Sequence, residues 1–494
     1  MGGAPKKQIN LLRGWPNPAL LPTTQIKLAA DAALSDSSVS TPGLLYGPDP
    51  GYQPLRQSLA GWLDGFYRHT DPTYTTPLSS PQYFPNGNGN RGESGRPDAE
   101  RICITGGASQ NLACLLQVFT DPLYTKVWMV APCYFLACRI FDDAGLRVSA
   151  VGEGSEGVDL VALEKGLKES ESNAFEETKS TSNGFQASIE KLKQPKPWSK
   201  IYRHIIYCVP TFSNPSGKTM TLSHRVSLVK LARKYNALII ADDVYDFLQW
   251  PTSSSSPTLS TSPSSLRRAL LPRLVDIDRM LDPIPNSESF GNAVSNGSFS
   301  KIAGPGVRTG WAEATRKFTY GLSQCGSSRS GGAPSQMTAT IVNELLVSSA
   351  LQTHIDTVLK PAYQKRFTLM IEAIKRELVP LGVSVAEDTV NGKDGVFGGY
   401  FIWIELPKGM DAEVVAGRAK EEEELILAPG KIFEVQGDER VKFPNGLRLC
   451  FSWEEEQDLV DGVRRLGRVV KELMEGKGGT GEAKVDKQDL GEFQ

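Results

Sequence analysis

From Arg101 onward, short apolar runs alternate with stretches that repeat at helical spacing. Ile102 to Thr105 is one such run, and Leu112, Leu115, Leu116 and Phe119 then recur three or four residues apart. The first predicts a strand and the second a helix with one apolar face. Between them lies the tight turn Gly106-Gly107-Ala108-Ser109-Gln110. Strand, glycine turn and helix start together present backbone N–H groups to an anion. Further strands are predicted over 127–130, 205–209, 237–240 and 293–300. A helix over about 223–235 turns Val226, Val229 and Ala232 inward. Apolar strands separated by helices predict an α/β protein whose mostly parallel sheet is covered on both faces.

The flanks read differently. The first forty residues open on a turn-rich extended segment around Leu11 to Pro18. Leu55, Leu59 and Leu63 then share one helical face. Long helices are predicted over 336–351 and 354–378, a strand over 398–407 and a helix over 411–424. A short strand over 447–452 and a helix ending near 474 follow. Three stretches break the pattern, at 70–100, 166–200 and 251–290. Their Pro, Gly, Ser, Asn and Glu content reads as surface insertions. The tail over 475–494 is polar and predicted to be disordered.

Composition narrows the class. A chain of 494 residues is too long for one small core, so two domains are expected. A formal net charge of −2 points to neither nucleic acid nor an anionic membrane as partner. No apolar run approaches the length that spans a bilayer. Seven dispersed cysteines without a CxxC pair read as reduced thiols of a cytoplasmic protein. The four histidines are not spaced as a metal pair, and no metal site is expected.

Candidate chemistry falls at the predicted strand ends, where ligands sit in such sheets. Ser298-Phe-Ser-Lys301-Ile-Ala-Gly-Pro-Gly-Val-Arg308 sets one lysine among small residues, with an arginine seven positions on. A nearby cation and partial burial lower a lysine pKa, and the neutral amine attacks carbonyls to form a Schiff base. Asp242 closes an apolar strand three residues before Tyr245. Its carboxylate can pair with a protonated ring nitrogen. Asp243 competes for that role, and alternation puts the two on opposite sides of the strand. Asn214 can donate to a phenolate oxygen, and Tyr134 can stack on a planar ring. Ser298 and Arg308 can hold phosphate oxygens. Arg448, inside an apolar strand, suits a substrate carboxylate.

The set resembles the fold-type I pyridoxal-phosphate enzymes of the class I/II aminotransferase family. It is similar to the branch holding 2-aminoadipate and aromatic-type aminotransferases. The matching pieces are Tyr46-Gly with Gly51, Thr105-Gly-Gly-Ala-Ser-Gln110, Pro132-Cys-Tyr134, Pro210 to Gly217, Asp242-Asp-Val-Tyr245, Ser298-Phe-Ser-Lys301 with Pro305-Gly-Val-Arg308-Thr-Gly-Trp, and Arg448-Leu-Cys-Phe-Ser452.

The resemblance implies pyridoxal 5′-phosphate as cofactor and a seven-stranded sheet in a large domain over 46–330. A smaller α+β domain over 331–474 would be joined by the segment 1–45. Lys301 would carry the cofactor and shuttle the α-proton. Asp242 would pair with the pyridine nitrogen, Asn214 and Tyr245 would hold the ring oxygen, and Tyr134 would stack on the ring. Ala108, Ser109, Ser298, Ser300 and Arg308 would hold the phosphate. Tyr46 would reach the phosphate of a neighbouring subunit, which implies a homodimer. Arg448 and Gly14 would face the substrate. Arg13 stands where relatives often have glycine, and it is expected to bind an acidic side chain or close the pocket.

The implied activity moves an amino group from an α-amino acid, aromatic or 2-aminoadipate-like, to a 2-oxo acid. A lyase on the same scaffold, such as a C–S β-lyase or a cyclopropane-forming synthase, is the alternative. A regulator built on an aminotransferase domain would need a DNA-binding module before it. The motifs here begin near Gly14, and the charge is not basic.

Overall fold

The computed structural model describes residues 6–67, 98–180, 191–252, 269, 271–281, 289–386, 389, 392 and 395–476. Most of the stretch 70–100, parts of the other two expected insertions and the tail beyond 476 lie outside the described residues.

The chain opens with β1 (Ile9–Asn10). The central sheet draws on β2 (Ile102–Thr105), β3 (Lys126–Ala131), β4 (Arg147–Gly152), β5 (His204–Cys208) and β6 (Leu238–Asp242). After β7 (Gln249–Pro251), which pairs elsewhere, it adds β8 (Ala293–Ser298) and β9 (Gly310–Glu313). The spatial order is β2-β9-β8-β6-β5-β3-β4, seven strands in all. Only β9 runs against its neighbours. The apolar runs explain this placement. Leu238, Ile239, Ile240 and Ala241 are fully buried, as strands covered on both faces must be. Each buried Leu or Ile side chain contributes about 1.5–3 kcal/mol. Helix Ala108–Phe119 buries Leu112, Leu115, Leu116 and Phe119 on the face its spacing predicts.

Beyond the large sheet, β10 (Ser384–Val385), β12 (Phe401–Glu405), β14 (Ala428–Pro429) and β15 (Gly446–Cys450) form an antiparallel sheet. The strand predicted over 398–407 divides. β11 (Val396–Gly398) pairs with β7, and Gly399 turns the chain at φ 75 into β12. β13 (Leu425–Ile426) pairs in parallel with β1. The first residues are thus built into the last part of the chain.

Several expectations needed correction. After the expected extended opening, helices Thr23–Ser35 and Ser37–Gly43 follow, which the sequence reading did not include. The strand expected over 293–300 ends at Ser298, and Phe299–Lys301 is a 3₁₀ turn. The helix expected over 336–351 stops at Val347, since Ser349 takes φ 57. The second expected insertion, read as part helix and part loop, does begin within helix Leu160–Ser180.

The third expected insertion, 251–290, contains helix Leu274–Met280 and a structural arginine. Arg273 is 1% exposed. Its Nε and Nη2 donate to Asp276 at 3.0 and 3.1 Å, and Nη2 also donates to Glu313 at 2.8 Å. The guanidinium carbon lies 3.9 Å from the Tyr67 ring centre. Truncating one side of a buried ion pair leaves charge without its partner, at about 3–5 kcal/mol. Arg273→Ala is therefore expected to lower the unfolding free energy by that amount, seen as a lower urea midpoint at unchanged m-value by circular dichroism.

Candidate active site

The carboxyl ends of β3, β5, β6 and β8 open into one cavity of about 510 Å³. Gly14, Ala108, Ser109, Tyr134, Asn214, Asp242, Tyr245, Ser298, Ser300, Lys301, Arg308 and Arg448 all line it. These positions span most of the sequence, and the sheet topology is what gathers them.

Lys301 ends the 3₁₀ turn after β8. Its Nζ donates to the Gly14 carbonyl at 2.9 Å and lies 5.8 Å from the Tyr245 ring centre. Burial pulls the ammonium down to about 8, with Arg448 adding to the effect and Cys450 and Asp242 opposing it.

Asp242 ends β6 and faces inward. Its carboxylate accepts the Tyr207 hydroxyl at 2.8 Å and the Asn296 amide at 3.4 Å. Burial pushes the carboxyl up to about 6, although the Tyr207 hydrogen bond and the Lys301 charge pull the other way. Asp243 faces the opposite side and accepts from Ser295 at 2.5 Å. Alternation along the strand thus selects Asp242 for the cavity.

Arg448 is 2% exposed on β15. Its Nη1 donates to Asn214 Oδ1 at 2.8 Å, and its Nη2 donates to the Leu12 carbonyl. Its carbon lies 4.1 Å from the Phe401 ring centre. Burial lowers it to about 10. Among the described residues no group accepts a hydrogen bond from its Nε.

The anion end is built from backbone. Gly107 caps helix Ala108–Phe119 at φ 100, without a side-chain cap on the first turn. A Cβ there would lie 3.0 Å from Arg308 Nη2. Only glycine leaves this hollow open. Arg308 sits at φ 48 and donates from Nη2 to the Gly106 carbonyl at 2.7 Å and from Nη1 to Pro305 at 3.0 Å. Ser298 Oγ donates to Ser300 Oγ at 2.9 Å. Burial raises the Tyr134 hydroxyl to about 12, helped by Asp242 and opposed by a hydrogen bond with Ser109.

Two expected residues lie elsewhere. Tyr46 is 90% exposed and is not among the residues lining the cavity of a single chain. Arg13 does not line it either. Its guanidinium lies 5.0 Å from the ring centres of both Trp15 and Trp453, which meet each other edge-on at 5.7 Å. Trp15 lines the wall instead.

Sequence reasoning missed Tyr207 and Asn296, which hold Asp242. Asn296 also bonds Asn111 at 2.8 Å and the Ala108 carbonyl at 3.1 Å, tying the acid to the anion end. Its signal was present. Asn296 lies two positions before Ser298 and so shares its face of β8.

The arrangement fits pyridoxal phosphate. An open hollow backed by an arginine suits a phosphate, and a buried carboxylate suits a ring nitrogen. An amine lies in the same cavity, and a buried guanidinium keeps one N–H unused. Among the described residues no cluster of metal-ligating side chains forms, and no helix is long and apolar enough to cross a membrane.

The comparisons with known proteins agree. The sequence model of the family described as Aminotransferase class I and II matches residues 89–460. An uncharacterised protein of Saccharomyces cerevisiae is 34% identical, over 94% of this chain and 97% of its own. The 2-aminoadipate transaminase of Thermus thermophilus is 27% identical, over 93% and 89%. The crystal structure of the α-aminoadipate aminotransferase LysN from Thermus thermophilus, complexed with N-(5′-phosphopyridoxyl)-L-leucine, superposes with a TM-score of 0.66. It is 26% identical and covers 95% of this chain and 93% of its own. Both relatives named for an activity are transaminases, and neither supports the lyase alternative. The chain belongs to the class I and II aminotransferases and is a pyridoxal-phosphate-dependent transaminase.

Proposed function

We propose that this transaminase takes its amino group from an α-amino acid with an apolar or aromatic side chain. The observation that carries this reading is the cavity's charge inventory. Among the described residues the lining charges are Asp242, Lys301, Arg308 and Arg448. Each has a use in the common chemistry, so a single chain leaves no lining cation for a second carboxylate. Trp15, Tyr134, Phe135 and Ile140 supply the remaining wall. Arg13, outside the lining and packed beside Trp15 and Trp453, braces that wall and does not receive an acidic side chain.

Pyridoxal phosphate, when bound, supplies a carbonyl carbon and an electron-withdrawing ring that acidifies the neighbouring C–H bond. The rest falls to the chain. Lys301, lowered to about 8, exchanges its Nζ proton readily near neutral pH. Asp242, near 6, is largely ionised above pH 7 and stabilises a protonated ring nitrogen. Asn214 and Tyr245 orient the ring oxygen, and Tyr134 covers the ring face. Ala108 and Ser109 N–H groups, with Ser298, Ser300 and Arg308, hold the phosphate. Arg448 is the lining cation left to pair with the substrate carboxylate, and Gly14 lines the same cavity.

We also infer a homodimer. Leu44, Leu45 and Tyr46 are 72, 64 and 90% exposed in one chain, an apolar run that a second copy would cover. Tyr46 would then reach the partner's phosphate end. The division into a domain over 46–330 and one over 331–474, joined by 1–45, belongs to the same reading. Seven free cysteines support a cytoplasmic setting.

Three outcomes test this. Lys301→Ala is expected to lower turnover by at least about 10²–10⁴-fold and to remove the protein-linked cofactor absorbance, read by stopped-flow and spectrum. A panel of amino-acid donors is expected to give higher kcat/KM for aromatic and aliphatic donors than for 2-aminoadipate. Arg13→Ala should leave that ratio on the same side, and a reversed preference in the wild type would defeat the substrate reading.

The third outcome concerns Asp242. An acid raised in the folded state binds its proton more tightly there than when unfolded, so stability falls as pH rises. From an unfolded value near 3.9 to about 6, the loss is about 3 kcal/mol. Cofactor-free wild type should therefore lose up to that much stability relative to Asp242→Asn between about pH 4 and 6, by urea titration. Equal pH profiles would show that Asp242 is not held in this way.

A further inference from the structure

Tyr400 has no assigned role, yet it touches Lys301 twice. The sequence Gly398-Gly399-Tyr400-Phe401 carries it from β11 into β12. Gly399 takes φ 75, and a Cβ there would lie 2.9 Å from Phe212 Cβ. The chain passes too tightly for any other residue, and the turn sends the Tyr400 side chain inward, where it is fully buried. Its backbone carbonyl accepts from Phe451 N–H at 3.0 Å, which fixes the turn to the end of β15.

The Tyr400 hydroxyl donates to the Lys301 carbonyl at 3.1 Å. A carbonyl can only accept, so the phenolic hydrogen is committed to that bond. The Tyr363 hydroxyl lies 3.2 Å from the Tyr400 hydroxyl and must then be the donor of that pair. The result is a directed chain from helix Lys360–Glu377 through Tyr400 to the backbone of Lys301. Hydrogen bonds in such a chain strengthen one another in a low-dielectric interior. The second contact is the ring. Lys301 Nζ lies 5.1 Å from the Tyr400 ring centre, within reach of a cation–π attraction. The Tyr245 ring lies 5.5 Å from it, so the amine has two aromatic rings beside it. The other groups facing the amine are Asp242, Arg448, Cys450 and the Gly14 carbonyl.

We propose that Tyr400 is a positioning residue for Lys301: its hydroxyl pins the main chain that carries the lysine, and its ring face stabilises the ammonium form. The proposal rests on the reading of Lys301 as the working amine. It separates two functions within one side chain, and two substitutions separate them in turn. Tyr400→Phe keeps the ring and removes the hydroxyl. Tyr400→Leu keeps the site apolar and removes the ring.

The experiment uses enzyme loaded with pyridoxamine phosphate, in which the lysine amine is uncombined. The rate of reductive methylation at Lys301 is followed against pH by peptide mass spectrometry. With the ring removed and burial kept, the ammonium form loses support, so the midpoint moves down. The expected fall for Tyr400→Leu is about half a unit to one unit. Tyr400→Phe should keep the wild-type midpoint. An unshifted Tyr400→Leu, or an equal shift in Tyr400→Phe, overturns the ring assignment. Tyr400→Met fills the same space and gives the same reading if the leucine variant does not fold.

For the hydroxyl, Tyr400→Phe is expected to lower kcat about two- to tenfold, with the KM for the amino acid unchanged. Tyr363→Phe should lower it less. Wild-type kcat in Tyr400→Phe overturns the hydroxyl assignment. In enzyme loaded with pyridoxal phosphate, Lys301 should be protected from methylation. An unprotected Lys301 there overturns the reading of the lysine itself, whereas a failure confined to the variants overturns only the role of Tyr400.

Discussion

Desolvation is the constraint on which the site depends. One cavity buries an amine, a guanidinium and a carboxylate, and all three are pushed toward their neutral forms. Lys301 falls to about 8, Arg448 falls to about 10 and Asp242 rises to about 6. The mutual attraction of opposite charges is present but smaller than the loss of water. Such a site holds charge at a cost, and that cost makes it receptive. A phosphate, a ring nitrogen or a carboxylate returns to these groups the partners that burial removed. The hydrogen bonds from Tyr207 and Asn296 keep Asp242 aimed into the cavity while its charge is poorly solvated.

On the other side of β6 the same strand supports a second, separate polar network. Asp243 bonds Ser295, and Arg273 joins Asp276 to Glu313 beneath the Tyr67 ring. Arg225 donates to the carbonyls of Met220, Pro210 and Pro272. Two successive aspartates thus serve different purposes, one toward the cavity and one toward the packing of helix Leu274–Met280. A single register step along β6 would exchange them.

Much of this was legible from the residues. The run Ile102 to Thr105, its glycine turn and the following periodicity specify strand, hollow and helix, because local geometry alone decides them. Alternation also separated Asp242 from Asp243. Helix Thr23–Ser35 was not legible, since only Ala29 and Ala33 of its thirteen residues are buried and they leave no apolar stripe. The packing of Arg13 against Trp15 and Trp453 was not legible, because these rings meet it only through tertiary structure. Arg273 was hidden in a serine- and proline-rich neighbourhood whose composition suggested a loop. Tyr400 carried no signal, because a tyrosine in an apolar run reads as core until its hydroxyl is seen to reach Lys301.

The segment over 11–17 has a consequence for how the protein is made. Arg448 holds the Leu12 carbonyl across a separation of 436 residues, and Ser452 holds the Trp15 carbonyl at 2.7 Å. β1 likewise waits for β13. At ordinary elongation rates of about 5–20 residues per second, the opening residues emerge on the order of twenty to ninety seconds before their partners exist. The large sheet can assemble during that interval, but its cavity has no floor until residues 448–452 have been made. The nascent chain therefore carries Lys301 and Asp242 in a half-built, solvated pocket. Full capture of the cofactor by construction waits for the strand that carries Arg448.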